Sequence, residues 1–267
     1  MGAVASICTF DEPLYVCWWI VFRQLVHPDY LLATSPSSKP MTKFVDLSHP
    51  IEDDMPGFRM STPDGETVEL SAEVEPFLTH GETDPLYDEG VSFELSEVRM
   101  YGNAGTYLDS PAHRYPGRRD VGDLGVSELI LDGVVVDATD KAAGEAVEPT
   151  DFPENLELAN RAVLFEFGWD GHWGTDQYHE YPFLSAELAE RLADAGAALV
   201  GVDALNVDDS EDPSRPVHSI LLDEGVFVVE NLRNLAAIRD REFRFCAIPL
   251  AVSGATSMPI RAFAEVR

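Results

Sequence analysis

From Phe44 onward, short apolar runs alternate with turn residues along most of the chain. "KFVDLSHPI" predicts a strand entering a Pro-marked turn, and "VSFELSEVRMY" alternates apolar and polar residues as a half-buried strand does. "YGNAGTYLDSPAHRYPG", Tyr101 to Gly117, interrupts this pattern and predicts a Gly-rich loop. Further buried strands are expected at Gly133 to Ala138 and in "RAVLFEFG", which ends at Gly168. "SAELAERLADAGA" then places Leu188, Leu192 and Ala195 at helical spacing, with Ser185 as N-cap and Gly196 as C-cap. "ALVGVDA" follows directly, so Ala162 to Ala204 predicts a strand–helix–strand unit. "GVFVVENL", "FRFCAIPLAV" and "SMPIRAFAEV" add strands, the last two around "SGATS". With no internal repeat and no low-complexity tract, the expected fold class is α/β: a single β-rich domain with few helices.

The first 40 residues do not share this pattern. "LYVCWWIVF", Leu14 to Phe22, is apolar but only nine residues long, too short to span a bilayer, and no basic segment precedes it. "TSPSSKP" reads as a linker, and "MTKFVDLSHPIEDDMPGF" from Met41 looks like a natural start. The expected organisation is an N-terminal extension over 1–40, a poorly ordered tail or a mis-assigned start, and one domain over 41–267. An amphipathic docking segment is the alternative for the extension.

Charge narrows the set of partners. Asp and Glu number 48 against 18 Lys and Arg, for a formal net charge of −30. Such a surface repels nucleic acid and anionic membranes, because both are held through basic contacts. It is tolerated best where the Debye length falls to roughly 3 Å, as in molar salt. A halophilic cytoplasm with an acidic proteome is therefore expected. Three Cys without a CxxC spacing argue against a disulfide framework and a thiolate zinc site.

Candidate chemistry gathers at two places. Asp109 and His113 are four apart in the Gly-rich segment, separated by Ser110-Pro111-Ala112. His218 follows a Pro, and Glu230 sits in the apolar run "VFVVENL". A carboxylate in a buried strand is costly unless it is paired, hydrogen-bonded or bound to a metal. The bland alternatives are a tight turn for Asp109, and for Glu230 a strand edge where its side chain reaches water or a pairing with Arg233. Asp203 ends an apolar strand, where α/β sheets often deliver a polar group to a site, whereas Asp208 and Asp209 read as a solvated acidic loop. The His/carboxylate inventory suits Zn²⁺ or Mn²⁺. No phosphate-binding Gly loop and no GxSxG elbow is present, which leaves a serine hydrolase unsupported.

The Gly-rich segment resembles the signature H-x-G-T-H-x-D-x-P-x-H of the cyclase family of metal-dependent hydrolases, which includes bacterial kynurenine formamidase and isatin hydrolase. Here it reads Asn103-Ala-Gly-Thr-Tyr107-Leu-Asp109-Ser-Pro-Ala-His113. "VDLSHPIEDDMPGF", the central strand–helix–strand and "HSILLDEGVFVVENLRNL" resemble the family's other blocks, in the same order. The resemblance implies a swivelling β/β/α domain. It also implies two metal positions, one held by the two motif histidines, the motif Asp and the later Glu, the other by that Asp, the later His and the same Glu. Asp109, His218 and Glu230 match the second set, while Asn103 and Tyr107 replace both histidines of the first. His113 matches the general acid/base, and Phe58 the aromatic placed against the substrate.

Three readings follow. One divalent ion, Zn or Mn, is held by Asp109, His218 and Glu230; or Asn103 and Tyr107 are themselves oxygen ligands for a harder ion; or no metal binds, and the chain is a non-catalytic relative that binds a small molecule or serves assembly. An active protein would be an arylformamidase-like hydrolase of a small amide, formamide or lactam, with His113 moving the proton and Tyr107 donating to the oxyanion. The resemblance further implies a homodimer or homotetramer. The charge reading carries its own test: thermal stability is expected to rise steeply between low and molar KCl, and a flat response would contradict it.

Overall fold

The computed structural model describes residues 43–152 and 156–267. The expectations for residues 1–40 lie outside the described residues. In chain order the elements are β1 (Lys43–Asp46), β2 (Phe58–Ser61), β3 (Thr67–Leu70), β4 (Ala72–Leu78), α1 (His80–Thr83), β5 (Leu95–Met100), β6 (Tyr107–Asp109) and β7 (Ile130–Asp137). They continue with β8 (Ala146–Val147), β9 (Ala162–Glu166), β10 (Phe183–Leu184), α2 (Ala186–Asp194), β11 (Leu199–Val202), α3 (Pro216–Asp223), β12 (Phe227–Glu230), β13 (Phe243–Cys246), β14 (Ser257–Pro259) and β15 (Phe263–Val266). The result is a mixed α/β domain, mostly sheet.

Nine strands form the main sheet in the order β1-β15-β13-β7-β9-β11-β12-β6-β14. Its centre, β7, β9, β11 and β12, is parallel, and the flanking pairs are antiparallel. Parallel strands need crossovers. α2 supplies one between β9 and β11 and confirms the expected strand–helix–strand unit; α3 supplies the next, between β11 and β12. The Ser185 hydroxyl accepts from Leu188 N at 3.2 Å, and Gly196 ends α2 with φ 76°, as the sequence requires of its caps.

Both faces of the central strands are buried. On β9, Val163 and Phe165 pack with α2 (Leu188, Leu192) and α3 (Val217, Leu221), while Ala162 and Leu164 face a second core with Phe243 and Phe245. This is why "RAVLFEF" reads as a continuous apolar run. Among the described residues no helix is long and apolar enough to cross a membrane.

Two expectations need correction, and one helix was not anticipated. Tyr107–Asp109 is a strand inside the sheet and not part of a loop, because "TYLD" pairs with strands on both sides. Pro216–Asp223 is a helix, opened by a Pro whose missing N–H costs nothing in the first turn. β5 is not half-buried: it pairs only with β4 in a two-stranded ribbon, and its Leu95, Val98 and Met100 are exposed.

β7 starts at Ile130, ahead of the expected Gly133. Gly133 stands opposite Phe243 on β13, and a Cβ there would lie 2.1 Å from the Phe243 ring. Gly133→Ala is expected to destabilise the domain by about 1–3 kcal/mol, read as a lowered urea midpoint; an unchanged midpoint would show that the ring gives way freely.

Candidate functional site

The site is built from cross-strand pairs. β6 lies between β12 and β14, with Tyr107 opposite Glu230 and Asp109 opposite Ser257. Alternation along β6 puts Tyr107 and Asp109 on one face and sends Leu108 into the core. α3 then brings His218 to the same face.

Three buried groups converge there. His218 Nε2 lies 3.5 Å from Asp109 Oδ2 and 3.5 Å from Glu230 Oε1. Asp109 and Glu230 are fully buried. Behind the imidazole, Asp208 takes His218 Nδ1 at 2.6 Å and caps α3 by accepting from the N–H of Val217 and of His218. Glu230 Oε1 accepts from Val207 N at 2.8 Å, and Glu230 Oε2 accepts the Tyr107 hydroxyl. Ser257 Oγ donates to Asp109 Oδ1 at 2.5 Å. Asp109 Oδ2 has no hydrogen-bond donor; among the described residues it is the one buried carboxylate oxygen without one.

The electrostatics follow from this crowding. Burial works against a charged His218, but the carboxylates of Glu230, Asp109 and Asp208 outweigh it and raise the imidazole to about 10. Burial and the Asp109 charge raise Glu230 to about 7, although His218 pulls the other way. Burial also raises Asp109, yet His113, His218 and Ser257 together hold it below its ordinary value. Burial, then Glu230 and Asp109, push the Tyr107 phenol well above 10. Tyr107 is therefore a neutral donor and not a phenolate. Its proton, expected to serve an oxyanion, is committed to Glu230.

Above the cluster is a cavity of about 220 Å³ lined by Phe58, Asn103, Tyr107, His113 and His218, with Arg114 and Arg215 on its wall. His113 Nδ1 sits 2.9 Å from Ser257 Oγ. The serine proton is already given to Asp109, so the serine oxygen accepts from His113 Nδ1–H. That fixes the tautomer and leaves Nε2 as the basic atom.

A family model described as "Putative cyclase" matches residues 45–209. The chain belongs to the cyclase family. Among this family's curated members, the kynurenine formamidase of Bacillus cytotoxicus is 26% identical over 222 residues, which is 83% of this chain and 96% of that protein. Isatin hydrolase A from Labrenzia aggregata, solved bound to benzyl benzoate, superposes with a TM-score of 0.72 at 19% identity, covering 84% of this chain and 93% of that one. A solved potential metal-dependent hydrolase with cyclase activity gives a TM-score of 0.66 at 22% identity, covering 84% and 97%. At these identities the two structures establish the fold.

Whether this cyclase chain fits the family's metal is decided by Asp109 Oδ2. A buried carboxylate oxygen without a donor, facing an imidazole nitrogen whose other nitrogen is held by a carboxylate, is chemistry that suits a cation. Asp109 and His218 offer donor atoms to it; Glu230 Oε1 lies 3.5 Å from His218 Nε2, with both Glu230 oxygens already accepting hydrogen bonds. Asp109, His113 and His218 also bring one donor atom each within 4.8 Å of one another, so His113 is in reach as a further donor. Asn103 lines the cavity beside them.

Two residues of the site were not legible in the sequence as such. Asp208, expected in a solvated loop, is fully buried against His218. The signal available was an acid ten residues before the His, opening the helix that carries it. Ser257 had no signal beyond "SGATS". Asp203, expected to serve the site, instead accepts the N–H of Phe167 and of Gly168 and ties two strand ends together. Because His218 holds a proton to about pH 10, metal binding must displace it. Mn²⁺ affinity is expected to rise at least about tenfold per pH unit from pH 6 to 8. Asp208→Asn is expected to weaken it about 10–100-fold; an affinity indifferent to both would contradict the assignment.

Proposed function

We propose that this protein is an arylformamidase-like, metal-dependent hydrolase of a small amide, formamide or lactam. The observation that carries the reading is the donor-free Asp109 Oδ2 facing His218 Nε2. One divalent ion, Zn or Mn, would be held by Asp109, His218 and Glu230; when bound it supplies Lewis acidity toward the carbonyl and a more acidic water. Asn103 stands where it can add an oxygen donor from the cavity wall.

The rest of the reaction falls to side chains. His113 Nε2 takes a proton from the attacking water as its oxygen adds to the carbonyl carbon. As the C–N bond breaks, the same nitrogen returns the proton to the leaving amine, giving an acid and an amine. Ser257 and Asp109 hold the imidazole in the required tautomer. Phe58 packs against the substrate. Tyr107 donates its hydroxyl to Glu230 and holds that carboxylate in place.

A second reading, a non-catalytic binding or assembly protein, is favoured by Tyr107 occupying Glu230 Oε2. Assays of N-formylkynurenine, isatin and simple lactams in molar KCl with Mn²⁺ or Zn²⁺ separate the two. The hydrolase turns over at least one of them. His113→Gln then keeps its metal and loses about 10²–10⁴ in kcat, and Tyr107→Phe loses less but measurably. No turnover of any of them would favour the binding protein.

The protein acts in a salt-rich cytoplasm, as its charge supports, and as a homodimer or homotetramer. Support for the assembly is the β4–β5 ribbon and its connection, where Phe77 and Leu86 are 60% and 71% exposed along with Phe93, Leu95 and Val98. Apolar surface of this extent ordinarily meets a partner. Sedimentation as a monomer in molar KCl would contradict this.

A further inference from the structure

The arginines of this acidic chain are mostly bound to acids. Arg99, Arg118, Arg119, Arg239, Arg244 and Arg261 all pair with a carboxylate. Arg161 and Arg241 form no ion pair among the described residues, but Arg114 and Arg215 differ from them in lining the cavity. Both line the cavity beside His113 and His218, and among the described residues neither forms an ion pair. Arg114 is held by Ser219 Oγ at 2.9 Å and the Ser214 carbonyl at 2.7 Å. Arg215 donates to the Asp209 and Ser210 carbonyls at 3.1 and 3.2 Å and leans on Asn206 Oδ1 at 3.5 Å. Every one of these partners is neutral. They orient two guanidinium groups without cancelling their charge.

The neighbouring acids are committed elsewhere. Asp208 serves His218, Asp209 Oδ1 accepts from Glu211 N, and Asp212 Oδ1 accepts from Ser214; Asp212 feels the Arg215 charge only through space. In a chain with a net charge of −30, two unneutralised arginines converging on one small cavity are unexpected unless the missing carboxylate arrives from outside. Phe58, Met60 and Leu70 supply the cavity's apolar lining. An apolar or aromatic body would rest there while an anionic group reached the arginines, whose planar forks suit a carboxylate.

We propose that the cavity selects amides that carry a carboxylate near the scissile bond, and that Arg114 and Arg215 are the specificity-determining residues that receive it. This rests on the hydrolase reading for the reaction, but the recognition itself does not require turnover. Charge-assisted contacts of this kind are expected to favour the anion about 10- to 100-fold over a neutral analogue.

The test uses metal-loaded protein in the salt that keeps it folded. The ratio of kcat/KM for N-formylanthranilate over formanilide is measured alongside the calorimetric Kd of benzoate and of benzamide. The wild type is compared with Arg114→Gln and Arg215→Gln, the second variant covering a folding failure of the first. The proposal expects both ratios to favour the carboxylate in the wild type, and to fall about tenfold in each folded variant. Equal ratios in the wild type, or a preference that survives both variants because benzoate binds the ion alone, would overturn it. If neither formamide is hydrolysed but benzoate is preferred and the variants lose that preference, the hydrolase reading falls and carboxylate recognition stands. If both formamides are hydrolysed equally and benzoate is not preferred, the reverse holds.

Discussion

Everything at the site depends on Asp109 and Glu230 being buried together against one imidazole. Two carboxylates out of water repel each other and lose their hydration, a cost that only a cation or a full set of donors offsets. The sheet supplies most of the donors: Ser257 and Tyr107 from the cross-strand pairs, and the Val207 amide from the loop after β11. One oxygen, Asp109 Oδ2, is left over. A proton on His218 leaves the group of Asp109, Glu230 and His218 one negative charge in excess (−2 + 1 = −1). A divalent ion beside a neutral His218 would balance Asp109 and Glu230 (−2 + 2 = 0), leaving Asp208 to its bond with the far side of the ring. Asp208 binding the far side of the ring favours the second arrangement, because it fixes the proton on Nδ1 and turns the Nε2 lone pair toward the carboxylates.

The replacement of two motif histidines acquires a physical meaning from the same constraint. Glu230 has two oxygens, one directed at His218 and one at Tyr107. Where the resemblance implies a second ion on this carboxylate, the chain places a neutral phenol that donates one hydrogen bond. Burial beside two carboxylates keeps the phenol protonated, so Tyr107 satisfies Glu230 without bringing charge. In the proposed hydrolase an internal donor would thus stand in for one cation, with Asp109 and His218 left to hold the other.

How much of this was legible in the sequence depended on whether a signal was local. The Ser185 N-cap of α2 and the apolar β9 and β11 runs are local signals, and the structure matches each. "YLD" reads as loop because three residues between glycines and a Pro carry no periodicity; only pairing on both sides makes them a strand. Asp208 was taken as solvent-facing because it opens an acidic run. Its burial depends on α3 turning its first N–H groups toward it. Ser257 reaches Asp109 through a register between strands nearly 150 residues apart, which no local pattern encodes. Likewise Arg114 and Arg215 stand out only once every other acid nearby is seen to have a partner.

The proposed hydrolase stands or falls with a single divalent ion on Asp109, His218 and Glu230. Elemental analysis of protein purified in molar KCl without chelator tests it most directly. The account predicts about one equivalent of Zn or Mn per chain, lost in His218→Ala while the Tyr107→Phe protein retains it. Two equivalents per chain, or none in the wild type, would contradict it.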